Sequence, residues 1–182
     1  SFGPQRRVDD ELQPDERVRS GFAPVLSRSH RAANFALAFA VQRMDHDATV
    51  IQQTALLHAF SELLLWLRAP ALALEIAQRQ EADRTLRSAA VQRDVMGVEL
   101  ADLQVELMRR WALPELLLAV ADCHRAAESA QARTVALAVR LARHTAEGWD
   151  NAAVPDDIRE IASLLHMAFE PAFALVLDID GS

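Results

Sequence analysis

Residues 48–68, "ATVIQQTALLHAFSELLLWLR", constrain the fold more than any other stretch of the chain. At 3.6 residues per turn, Leu56, Leu57, Phe60, Leu63, Leu64 and Leu67 cover more than half of a helix's circumference. A helix wet on so little of its surface belongs at the centre of others. Asp47, just before the run, is placed to be its N-cap. The rest of the chain agrees with a helical reading. It has 182 residues, 51% of them hydrophobic, with 5 Gly and no Tyr. Its many Ala, Leu, Arg and Glu lose little on entering a helix. No segment alternates with period two as a half-buried strand would.

Residues 1–24 stand apart, with three of the seven prolines and two of the five glycines. They read as an irregular arm with one short helix from Asp15 to Ser20. Pro24 then suits the first turn of a helix whose apolar face carries Val25, Ala32, Ala33, Ala36, Leu37, Ala40 and Val41. Pro70 and Pro114 open further helices, and Gly97 stops one. "PDDIREIASLLHMAF" is a helix with Asp156 and Asp157 near its positive end. "PAFALVLDID" reads as a helical turn or a frayed end. The expectation is an all-α bundle of about six or seven helices occupying residues 25–182.

The net charge is −7 and the pI about 5.3. That balance argues against nucleic acid as a partner, because phosphate contacts drive most such binding. Cys123 is the only cysteine, so no intrachain disulfide forms, which fits a reducing, cytoplasmic compartment. No run of about 18 uncharged apolar residues is visible, so no membrane span is expected, and no secretory leader opens the chain.

Taken residue by residue, most polar groups have ordinary readings. His58 is expected to be a buried histidine bonded to a carbonyl or an acid, with Glu62 one turn later as a partner. Cys123 is a small core residue. His124 beside it points about 100° away, so the two form no thiol–imidazole dyad. His30, His46, His144 and His166 are expected on the surface. Asp45 and Asp47 are solvated acids at a cap. Arg109 and Arg110 are expected to snorkel beside a core Trp111. Trp66, with Leu63, Leu67 and "APALALEIA", is either core or an exposed patch that takes a partner.

Three segments in order, "ALLHAFSELLLW", "GVELADLQVELMRRWALPELLLAVADCH" and "TVALAVRLARH", resemble the HDOD domain, the HD-related output domain of bacterial signalling proteins. "RRWALPELLLAV" is the most specific match, "ALLHAFSELLL" the next, and the resemblance runs over about residues 26–166. It implies an HD-domain-like helical bundle. The family's N-terminal half, with its Asp-Pro and Asn-Ser signatures, is not visible in this chain. The resemblance also maps the metal positions of the parent hydrolases. The first histidine falls on Arg28, the His-Asp pair on His58 and Ala59, and a further histidine on Leu100. The double histidine falls on Cys123 and His124, and the late aspartate on Arg143. His58 and His124 alone keep the histidine. A hydrolytic centre needs several N or O donors and an open place for water. Ala59 donates nothing, and Arg28 and Arg143 would repel a divalent cation.

The implied role is a non-catalytic signalling or scaffolding module of a bacterial cytoplasm, with no metal and no cofactor. It would bind another signalling protein, a second copy of itself, or a small anionic ligand in the pocket of Arg28, His58, His124 and Arg143. Neither nucleic acid nor membrane is an expected partner. The alternative is a divergent metal-dependent phosphohydrolase using His58, His124 and an acid such as Asp122 or Glu62.

Overall fold

The long apolar run does not fold as one helix. In the computed structural model it divides at a turn over residues 57–59, and His58 lies in that turn. The structure describes residues 15–83, 85–113, 115–121 and 129–181, with the backbone alone at 119–121. Among these residues there is no strand, and the elements are α1 (Glu16–Gln42), α2 (Ala48–Leu56), α3 (Phe60–Arg68), α4 (Pro70–Ala82), α5 (Ser88–Met96), α6 (Leu100–Arg110), α7 (Glu115–Ala121), α8 (Ala130–His144), α9 (Val154–Leu165) and α10 (Phe169–Asp180). The all-α expectation holds, but the helices outnumber the six or seven expected. One surplus helix comes from the break at 57–59. Another is α10, a helix of 12 residues where a helical turn or a frayed end was expected. Asp47 does occupy the N-cap of α2, yet its side chain accepts no capping hydrogen bond.

The start of the chain also differs from the sequence reading. Helix α1 begins at Glu16 and runs 27 residues, straight through Pro24. Pro24 is therefore interior, and the carbonyl one turn before it loses its amide partner. Gly97 does end α5, in the left-handed region at φ 75°, with its N–H donated to the Arg93 carbonyl at 2.9 Å.

The chain forms two compact units. One comprises residues up to Leu26 together with Phe60–Glu106. Its core holds Val18, Phe22, Val25, Phe60, Trp66, Ala73, Ile76 and Val91. Trp66 is thus core and not a docking patch. Its ring lies so close over Gly21 that a Cβ there would overlap it. Ser61 Oγ donates to Gln104 Oε1 at 2.7 Å, which satisfies two polar groups that α3 and α6 bury.

The other unit comprises Ser27–Ala59 and Leu107–Ser182. Phe35, Phe39, Ile51, Val135, Leu141, Ile158, Ile161 and Val176 lie at its centre, each essentially without solvent contact. Arg31 ties the unit's ends together. Its guanidinium pairs with Asp180 at 2.7 Å and donates to the Thr145 carbonyl at 3.1 Å. One expectation fails here: Trp111, at the end of α6, is 53% exposed and not core. Ala112 takes the left-handed region at φ 51°, which turns the chain out of the helix there.

By length and composition alone the 48–68 stretch is long and apolar enough to cross a membrane, but the break at 57–59 and its polar and charged residues leave no clear span. It carries Gln52, Gln53, His58 and Glu62, and Ile51, Thr54, Ala55, Phe60, Ser61 and Trp66 are buried within protein.

Candidate functional site

The larger unit gathers the residues that the sequence singles out. His58 follows α2 directly, its backbone N–H donated to the Ala55 carbonyl at 3.3 Å. Its Nδ1 is buried and has no hydrogen-bond partner among the described residues. The expected carbonyl or acid partner is therefore missing at that atom. The break at 57–59 also removes the single-helix spacing that suggested Glu62. Arg28 comes from α1 and Arg143 from the last turn of α8. Burial, then the Arg28 charge, then the Arg143 charge, push the His58 imidazole down to a pKa of about 4. At neutral pH the ring is uncharged, beside two guanidinium groups.

Two of the four candidate residues, Arg28 and Arg143, thus each bear on a third, His58. The fourth, His124, lies outside the described residues, as do Cys123 and Asp122. The parent hydrolases' metal does not fit what is described here. Two cationic groups act on the His58 imidazole, and Ala59 has no donor atom. Among the described residues, no three His, Cys, Asp or Glu side chains come together in a way that could hold a metal ion.

A second polar cluster in the same unit joins α8 to α9, and the sequence reading missed it. Asp157 is buried, 2% exposed, and not simply an acid complementing a helix end. Its Oδ2 lies 2.6 Å from His144 Nδ1, and its Oδ1 lies 2.7 Å from Arg140 Nε. Arg140 Nη2 reaches Glu160 Oε1 at 2.7 Å. His144 is therefore an anchored imidazole and not a solvated one. With Nδ1–H directed at the carboxylate, Nε2 offers its lone pair to Arg143 Nη2 at 3.4 Å. The signal was present in the spacing. Arg140 and His144 lie four apart on one helix, and Asp157 and Glu160 three apart on the next. Opposite charges about one turn apart on each of two adjacent helices mark a paired seam.

The comparisons with known proteins bear on this geometry. The family model of the HDOD domain matches residues 8–127. The chain belongs to the HDOD family. The match begins inside the segment read as an irregular arm and ends before α8, so Arg28, His58 and His124 fall within it and Arg143 does not. Among solved structures, an HDOD domain protein of unknown function from Geobacter sulfurreducens resembles it with a TM-score of 0.66 at 14% identity. The likeness covers 95% of this chain and 65% of that one, and at such identity it speaks for the HDOD fold alone. The search of curated proteins gives no match.

Proposed function

We propose that this HDOD domain is a non-catalytic signalling or scaffolding module of a bacterial cytoplasm. It works by holding a partner protein or a small anionic ligand where HD hydrolases hold metal. The observation that supports this reading is the buried, unpartnered Nδ1 of His58 with the charges of Arg28 and Arg143 acting on it. A buried polar atom without a partner costs free energy, and its environment favours an anion over a cation. A phosphate or carboxylate entering there would be attracted by both guanidinium groups. It would also let the imidazole take a proton and donate from Nδ1.

The test is titration with inorganic phosphate, then with nucleotides, followed by calorimetry. The wild type is expected to bind, and Arg28→Ala and Arg143→Ala are each expected to weaken binding by about tenfold or more. Binding indifferent to both arginines would remove the reading. Elemental analysis of protein purified without chelators addresses the phosphohydrolase alternative. Stoichiometric manganese, iron or zinc would favour that alternative.

A further inference from the structure

We propose that His144 and Asp157 are positioning residues that hold the Arg143 guanidinium in place for the anion. This rests on the reading of Arg28, His58 and Arg143 as an anion site. Arg143 lies in the last turn of α8 and is exposed. A long, exposed side chain loses much rotamer freedom when a ligand fixes it, which weakens binding. Here its Nη2 already donates to His144 Nε2. His144 is in turn fixed from behind by Asp157, which is buried on α9. Arg140 and Glu160 brace that carboxylate and the helix pair. The contacts therefore run from buried α9, through an oriented imidazole, to the cation that acts on His58. An arginine held in this way binds an anion with less ordering left to do.

The tautomer makes the proposal specific. The imidazole has one nitrogen for Asp157 and the other for Arg143, and the two can be imitated separately. In His144→Gln, the amide reaches the Nε2 position and still offers an oxygen to Arg143. In His144→Asn, the amide reaches only the Nδ1 position and faces Asp157. Both are neutral and of similar polarity, so a purely structural role predicts similar effects from both.

The experiment titrates inorganic phosphate into the wild type and the His144→Asn, His144→Gln and Arg143→Ala variants. ¹⁵N relaxation of the Arg143 Nε–Hε group is read in parallel. Asn is expected to weaken phosphate binding by about tenfold and to loosen the guanidinium, while Gln, which keeps an oxygen for Arg143 but loses the contact to Asp157, is expected to lose only about threefold. Wild-type binding in the Asn variant, with Arg143→Ala still deficient, would overturn the positioning role and leave the anion site standing. Equal binding by wild type and Arg143→Ala, or none by either, would overturn the anion site and this inference with it. An equal loss in Asn and Gln would reduce His144 to a structural residue and overturn the proposal.

Discussion

His58 keeps its imidazole neutral at a place where a neutral ring gains no hydrogen bond at Nδ1. That has a measurable consequence for stability. The ring's ordinary pKa is 6.5, and in the folded unit burial and the two arginines lower it to about 4. Between those values the unfolded chain binds a proton that the folded chain refuses. Stability is therefore full above the unfolded value, falls between the two values and levels off below the folded one. At one pKa unit per ~1.4 kcal/mol, the loss approaches about 3 kcal/mol below pH 4. Urea midpoints of wild type and His58→Leu, compared at pH 7 and pH 4.5, isolate this contribution from the other titrating groups. The variant is expected to lose less stability on acidification, by about 2–3 kcal/mol. Identical pH slopes would mean that His58 is not held neutral by its surroundings. Sequence alone indicated that His58 was unusual, because an imidazole sits in an apolar run. It could not indicate that Nδ1 would be left unpaired, since that depends on which groups three distant segments bring near it.

Helices α1 and α3 show where local pattern and tertiary contact part company. Propensity alone says that Gly21, inside α1, should be improved by alanine by about 1 kcal/mol. The contact reverses the sign. The Trp66 ring occupies the space a Cβ would need, and that ring is buried in the core of the smaller unit. Gly21→Ala is expected to destabilise that unit by about 1–3 kcal/mol, with a blue- or red-shifted Trp66 emission as the ring is displaced. Stabilisation by the variant would show that the ring can move without loss. The same logic explains Pro24. A proline near a segment rich in charge reads as a start signal, and the sequence reading took it so. Helix α1 instead carries it in its interior, because Val18, Phe22 and Val25 are buried on the turns around it. Their burial outweighs the missing hydrogen bond. The spacing of those three residues was legible, but the proline hid the fact that Val18 and Phe22 continue the apolar face of Val25, Ala32 and Ala36.

At the scale of the molecule, the family match and the folding unit do not share a boundary. The match ends at residue 127. The core of the larger unit does not: Val135, Leu141, Ile158, Ile161, Ala172 and Val176 all lie beyond that point, and they pack with Phe35, Phe39 and Ile51. The sequence made the helical character of this region plain through "TVALAVRLARH" and "REIASLL". It left α10 ambiguous because its apolar residues follow one another without a polar face, so their periodicity is faint. Packing decides the matter, with Ala172 and Val176 buried one turn apart. Arg31 then fixes the far end of α10 through Asp180. A chain ending at residue 128 would expose the partner surfaces of α1 and α2, and each lost aliphatic side chain is worth about 1.5–3 kcal/mol. Against a typical domain stability of ~5–15 kcal/mol, the remainder of that unit cannot stay folded. Hydrogen exchange is expected to show amides of residues 32–40 protected in the full chain and rapidly exchanging in the truncated one. Retained protection there would mean that the family-matched residues fold without α8, α9 and α10, and that the seam joining Asp157 to His144 is an addition to a finished core and not part of it.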